Sequence, residues 1–256
     1  MLRCLVALSI SLLMLATAAA QPAKSFKVRW FGQSFFQIET PVGKKIVLDP
    51  HLIPAFGRPI VTADVILISH EHNDHNALEA VEGAKSARVF KGLKENKGRV
   101  EWERIDEKVG GIRIRSVASY HDNENGLARG KNTIFIVEAE GLTFCHLGDL
   151  GHELNDEQIK AIGKVDVLMI PVGGTYTING EQAKALVEKL KPRLFILPMH
   201  YGLPNYDDLN GPDEFLDGQK LKVKKVLTSN ELAIPADAKA DAPTIILLSP
   251  GEMKKK

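Results

Sequence analysis

Residues 65–75 read Val65-Ile66-Leu67-Ile68-Ser69-His70-Glu71-His72-Asn73-Asp74-His75. Four consecutive branched apolar residues bounded by polar ones predict a short strand buried on both faces. The hexapeptide that follows therefore sits at the mouth of a buried strand. Imidazole nitrogen and carboxylate oxygen are donors that zinc, manganese and iron accept. In a tight loop neighbouring side chains point to different sides. His70, His72, Asp74 and His75 are thus placed to serve two adjacent ions, neither of them complete from this loop alone.

The missing donors lie downstream, each at the end of a strand-like apolar run: His121 in Ser119-Tyr120-His121-Asp122, Asp149 in His146-Leu147-Gly148-Asp149, and His200 in Pro198-Met199-His200-Tyr201. This order of donors resembles the metallo-β-lactamase superfamily, whose His-x-His-x-Asp-His loop is followed by a His, an Asp and a final His. The runs Trp30-Phe31-Gly32-Gln33-Ser34-Phe35-Phe36, Val47-Leu48-Asp49-Pro50, Pro171-Val172-Gly173-Gly174-Thr175-Tyr176-Thr177 and Pro198-Met199-His200-Tyr201 look like the branch that contains L-ascorbate-6-phosphate lactonase and related metal-dependent hydrolases. By residue-by-residue match, the resemblance implies that His70, His72 and His121 hold one divalent ion and that Asp74, His75 and His200 hold another. Asp149 would bridge them. Zinc is the expected metal, with manganese or iron as alternatives. Gln33 departs from the pattern, since relatives often carry His there.

Runs rich in β-branched and aromatic residues predict strands over 27–31, 35–39, 45–48, 65–68, 112–117, 133–138, 143–146, 165–170, 194–197 and 244–248. A helix is predicted over Glu181 to Leu190, where Ala183, Leu186, Val187 and Leu190 recur at helical spacing behind an Asn179/Gln182 capping pair and before Pro192. Glu153 to Ile162 is a second helix and Asn76 to Val81 a short third. Early strands in hairpin-like succession, then strands separated by helices, predict an α/β class with two mixed sheets face to face and helices outside. The resemblance sharpens this to a four-layer αββα sandwich with metals at one edge.

Of the remaining histidines, His146 reads as internal to a strand and structural, and His51 is placed at the entrance of the site. His152 is a candidate to orient substrate or shuttle a proton, with a cap on the helix near Glu153 as the alternative. Asp49 at a strand end is a candidate to accept an N–H from a ligand imidazole and fix its tautomer, or a simple turn carboxylate. Gly173-Gly174-Thr175-Tyr176 would at once form a tight strand-to-helix turn and, beside the metals as the resemblance implies, present N–H groups and the Tyr176 hydroxyl to a substrate oxygen. Cys145 reads as a small core residue.

Residues 1–20 show the charged start, apolar stretch and Ala18-Ala19-Ala20 site of a secretory signal, which leaves a single domain over 21–256 in the periplasm or outside the cell. The apolar stretch is shorter than the ~20 residues of a membrane span. The mature chain would keep Cys145 as its one thiol and so form no internal disulfide. Without Arg3 its basic and acidic residues balance, and the Lys-rich stretch from Lys91 to Arg99 is interleaved with Glu95 and Gly. Nucleic acid is therefore excluded as a partner, and so is a stable membrane anchor; a small molecule is expected.

The chemistry implied is hydrolysis of a lactone, ester, amide or phosphoester by a hydroxide that bridges two metals, with Asp74 both ligating and orienting the nucleophile. The fold does not choose among these bonds. A non-catalytic metal-binding protein on the same fold is the alternative, and loss of a ligand would be its sign.

Overall fold

The computed structural model describes residues 24–204 and 206–251; the expected leader lies outside the described residues. In chain order the first strands are β1 (Ser25–Trp30), β2 (Phe36–Glu39), β3 (Lys45–Leu48), β4 (Val61–Thr62), β5 (Val65–Ile68), β6 (Val81–Glu82), β7 (Arg88–Lys91), β8 (Leu93–Asn96) and β9 (Arg99–Trp102). They are followed by β10 (Asp106–Val109), β11 (Ile112–Tyr120), β12 (Lys131–Ala139), β13 (Leu142–His146), β14 (Val167–Pro171), β15 (Phe195–Met199), β16 (Lys222–Val226), β17 (Glu231–Pro235) and β18 (Thr244–Leu248). The helices are α1 (Asp156–Ile162), α2 (Gly180–Leu190) and α3 (Asp213–Leu216).

One sheet has the order β17-β1-β2-β3-β5-β7 and the other β10-β11-β12-β13-β14-β15-β18-β16. Each starts with antiparallel neighbours and becomes parallel: β3 beside β5 beside β7, and β13 beside β14 beside β15. Parallel central strands need both faces covered. Accordingly every residue of β5 and β14 is buried, whereas β1 alternates, with Phe26, Val28 and Trp30 pointing inward. The two sheets share one core, in which the rings of Phe26 and Phe144 meet at 5.1 Å across the interface. The expected α/β sandwich of two mixed sheets holds.

The outer layers are unequal. On the second sheet α2 buries Ala183, Leu186, Val187 and Leu190, and begins at Asn179, whose side chain accepts the Gln182 N–H in a reciprocal capping box. Helix α1 starts three residues later than predicted because Asn155 caps it in the same way. Arg115 of β11 reaches the last carbonyls of α1, at Ala161 and Ile162. The outer face of the first sheet packs Phe35, Val47, Ile66 and Ile68 against Ala80 and Val81, beneath 3₁₀ turns at 54–56, 78–80 and 84–86. The helix predicted over 76–81 is the turn Leu78–Ala80: it has no side-chain cap and gives way at once to β6. Among the described residues no helix is long and apolar enough to cross a membrane.

Candidate metal centre

All the predicted donors leave the carboxyl ends of strands at one edge of the sandwich. The hexapeptide follows β5, Asp49 follows β3, His121 follows β11, Asp149 follows β13 and His200 follows β15. Crevices beyond the carboxyl ends of parallel strands are where open α/β sheets place ligands, because several rigid strands aim their next residues at one point. Close approach of the loops depends on small residues. A Cβ at Gly151 would collide with the His121 carbonyl, and Gly148, at φ 55°, packs against Asn132 and Ser69.

The donors converge. Nε2 of His75, His121 and His200 lies 3.1, 3.2 and 3.0 Å from the same oxygen, Asp149 Oδ2. His70 Nε2 lies 3.1 Å from His72 Nδ1, and Asp74 reaches to 3.6 Å from His75 Nε2. Two of the clusters with metal-ligand spacing are His70, His72, His121 and Asp74, His75, His200, the groupings expected from the sequence. A third contains Asp49 with His70 and His75. His70, His75, His121, Asp149 and His200 are all at most 3% exposed.

Neighbours settle which ring nitrogen faces the cleft. The Asp49 carboxylate accepts the Ser69 amide at 2.7 Å, the Ser69 hydroxyl at 2.6 Å and the His75 Nδ1–H at 3.0 Å. The Ser69 oxygen in turn accepts from His70 Nδ1, and the Tyr176 carbonyl accepts from His121 Nδ1. With Nδ1 held there, Nε2 of His70, His75 and His121 is the nitrogen that faces the cleft, where a bound cation would take its lone pair in place of a proton; such backing is the usual support of metal-binding imidazoles. Asp49 thus acts on the ring of His75 from behind.

This donor set fits divalent cations. Nitrogen and carboxylate donors about 3 Å apart match the roughly 3.3 Å edge of a tetrahedron built on zinc–nitrogen bonds of about 2.0–2.1 Å. His75 Nε2 is buried and, despite its closeness to Asp149, has no hydrogen bond of acceptable geometry; His200 Nδ1 is buried without a partner as well. The field at the site points the same way. Burial pushes the His75 imidazole toward neutrality, yet the carboxylates of Asp149 and Asp74 override it and hold its pKa well above the ordinary value. Burial would raise Asp149, but the imidazoles of His200 and His75, with hydrogen bonds from His121 and His200, keep it well below the usual carboxylate range. A pocket that draws in positive charge this strongly suits a cation.

Two residues that carry the site are in left-handed backbone: Asp49 at φ 45° and His200 at φ 51°. Gln33, at φ 45°, accepts the His200 N–H with its carbonyl and donates from its amide to Tyr206 Oη at 3.0 Å. Such conformations cost on the order of 1–3 kcal/mol each and persist where the surroundings over-determine them.

Three expectations need correction. His152 is not brought to the cleft: its Nε2 accepts the Tyr120 N–H at 3.1 Å and its Nδ1 donates to the Glu153 carbonyl at 2.8 Å, so both nitrogens are spent on backbone. Nor does it cap α1, a task Asn155 performs. His51 is fully buried, donating to the Gly32 carbonyl and accepting from the Ile53 N–H. The 173–176 loop forms the tight turn, and the N–H groups of Gly173, Gly174 and Tyr176 are taken by the His200, Ile178 and Gly174 carbonyls, so these three are not free for a substrate oxygen. Tyr176 itself does line the cleft, of about 450 Å³, together with Asp74, Asp149 and Arg129. His146 is structural as expected, donating to the Ser34 carbonyl.

Sequence reading passed over Ser34, whose hydroxyl donates to Asp149 Oδ1 at 3.0 Å, and Arg129, whose guanidinium stands 4.5 Å over the Tyr176 ring. Ser34 lies within the Trp30–Phe36 run already singled out. Arg129 carried no signal, because its position depends on how the loop before it folds.

Burial pushes the His51 pKa down to about 4. An unfolded chain takes up this proton near pH 6.5 and the folded chain only near 4, so the unfolded state binds more protons in between. Stability is fully present above about pH 6.5 and falls by up to about 3 kcal/mol as pH drops toward 4. Urea unfolding of chelated protein between pH 7 and 4 should show this slope, flattened in His51→Asn; identical slopes would refute it.

The family described as "Beta-lactamase superfamily domain" matches residues 27–200. A UPF0173 metal-dependent hydrolase of Pyrococcus abyssi is 32% identical over 240 residues, covering 81% of this chain and 99% of its own. A UPF0173 metal-dependent hydrolase of Thermococcus onnurineus is 33% identical over 218 residues, covering 77% and 94%. Among solved structures, a candidate Zn-dependent hydrolase of the metallo-β-lactamase superfamily from Thermotoga maritima superposes with a TM-score of 0.65 at 33% identity, over 88% of this chain and 98% of that one.

Proposed function

The chain belongs to the metallo-β-lactamase superfamily, among its UPF0173 metal-dependent hydrolases, and from that membership we propose that it holds two divalent cations, zinc first among them, and hydrolyses a lactone, ester, amide or phosphoester of a small molecule. The observation that carries this reading is the convergence of three imidazoles on one buried oxygen of Asp149. It supports His70, His72 and His121 as one donor set and Asp74, His75 and His200 as the other, with Asp149 shared. Within the family, the lactonase-like branch is proposed from the Trp30–Phe36 and Pro171–Thr177 runs alone.

Bound divalent cations would supply a water acidified to near neutral pH and an electrophile for the oxygen under attack. The chain's own groups do the rest. Asp74 is partly exposed to the cleft; burial works against its charge, but the His75 imidazole keeps its pKa well below the ordinary value. It is therefore ionised at neutral pH and positioned to accept a hydrogen bond from the attacking water. Tyr176, 41% exposed at the cleft mouth, offers its hydroxyl to a substrate oxygen. The thiol and the hydroxyls nearest the site are poor nucleophiles: burial pushes the Cys145 thiol up to about 12, and the Ser34 and Ser69 hydroxyls are committed to Asp149 and Asp49.

The test is a panel of lactones, esters, amides and phosphodiesters assayed with metal-loaded protein. Chelation is expected to abolish turnover and metal to restore it, while Cys145→Ser keeps the rate within a small factor. Turnover that survives complete metal removal, or a covalent adduct trapped by mass spectrometry, would sink the mechanism. Full metal content without hydrolysis anywhere in a broad panel would favour a binding role.

A further inference from the structure

Beside the metal cleft, and sharing Glu71, His72 and Arg129 with it, lies a second groove of about 550 Å³. Its wall carries three cations, Arg99 of β9, Arg129, and Lys131 at the start of β12, with Leu93 and Val100 between them. One acid, Glu71, shares that wall, and its charge is answered by Lys91 at 3.0 Å. Among the described residues none of the three cations stands in an ion pair. Unpaired cations occur elsewhere on the surface too, beside paired ones such as Arg113 with Asp106 or Lys94 with Glu103; these three are set apart by lining one groove next to the proposed metal site.

Two of these cations, Arg129 and Lys131, are held in place. The Asp122 carboxylate accepts four backbone N–H groups, from Glu124 and Gly126 at 2.8 Å on one oxygen and from Ala128 and Arg129 at 3.1 and 2.6 Å on the other. One buried carboxylate thus folds the whole loop after His121 and fixes the backbone of Arg129. The Arg129 guanidinium then lies on the Tyr176 ring, and Lys131 Nζ bonds the Val100 carbonyl at 2.7 Å, 4.6 Å from the Trp102 ring. A fixed guanidinium with no carboxylate to satisfy it loses little freedom when an oxyanion arrives.

We infer that this groove is the recognition subsite for an anionic group, a carboxylate or phosphate at the non-reacting end of the substrate, so that the enzyme selects acidic substrates. The reaction part of this inference rests on the hydrolase reading above; the binding part does not. Arg129 bridges both cavities and so sets the orientation of the substrate between them.

Two measurements separate the ideas. The first compares kcat/KM for 4-nitrophenyl hydrogen glutarate and neutral 4-nitrophenyl butyrate with metal-loaded protein. The second follows glutarate and inorganic phosphate binding to chelated protein by calorimetry. In Arg129→Met and Arg99→Met the preference for the charged ester and the affinity for the anion should each fall by at least about tenfold. Arg129→Lys should restore part of both, and Lys184→Met, on the exposed face of α2, should change neither. Added salt should weaken the preference in the wild type. A larger loss for phosphate than for glutarate would identify the natural group as a phosphate, and the reverse as a carboxylate. If ester ratios and anion affinities match wild type in both Met variants, the subsite is refuted while the hydrolase stands. If neither ester is cleaved yet anion binding falls, the subsite stands and the choice of an ester as the bond cleaved is what fails.

Discussion

Asp149→Ala is expected to leave the protein with less than one metal ion per chain and to depress turnover by more than the 10- to 100-fold that loss of a supporting hydrogen-bond partner typically costs. The carboxylate is 2% exposed and is the one group that His75, His121 and His200 all approach. Its removal leaves three imidazoles facing a void and takes away the oxygen they share. Ser34 and Asn132, which bond its side chain and its N–H, lose their partner or its alignment too. Asp149→Asn keeps the shape and removes the charge, so it separates geometry from electrostatics. His121→Ala and His200→Ala should instead weaken opposite ions first, because they belong to different donor sets. Metal analysis and turnover of the four variants decide the matter; full occupancy and activity in Asp149→Ala would show that the carboxylate is not shared.

Asp49→Ala should be the most destabilising change near the site, by about 3–5 kcal/mol, and should weaken metal affinity on the order of 10- to 100-fold. Fully buried Asp49 satisfies the Ser69 N–H, the Ser69 hydroxyl and His75 Nδ1. Alanine leaves those buried donors without the carboxylate they share, and it leaves the His75 ring without the partner that sets its tautomer. Urea unfolding of the chelated protein reads the first effect, and metal titration of the folded fraction reads the second. A loss of stability below about 1 kcal/mol would place Asp49 in an ordinary turn role.

Legibility in the sequence followed burial. The spans 45–48, 65–68 and 244–248 were predicted to the residue, because strands enclosed by neighbours and core must be continuously apolar. The strands that went unread include all four edges of the two large sheets, β7, β10, β16 and β17. Their sequences, such as Asp106-Glu107-Lys108-Val109 and Lys222-Val223-Lys224-Lys225-Val226, are charged since one side of each faces water instead of another strand. Charge there discourages pairing with a second molecule, at the expense of the alternating pattern that betrays a strand.

The site divided in a similar way. The proposed metal donors were readable because His and Asp at strand ends form a recognisable chemical set. Their supports were not: Ser34 meets Asp149 across 115 residues of chain, and Arg129 owes its place to backbone N–H groups gathered by Asp122. His152 misled for the converse reason. Its position three residues beyond Asp149 suggested the cleft, while its ring turned toward the backbone of β11.

Four of the seven proposed donors occupy a six-residue stretch, and the other three come from points as far away as residue 200. An unfolded chain therefore retains a partial chelate in His70–His75, whereas the contributions of His121, Asp149 and His200 exist only when both sheets have docked. Ligand-induced stabilisation equals the difference between binding to the folded and to the unfolded chain. The protection that metal gives against unfolding will thus be smaller than its affinity for the native site suggests, and it is carried by the distant donors. A metal encountered during synthesis would also find the local chelate before the rest of the site is made, so the order of loading and folding becomes a property written into the spacing of the donors.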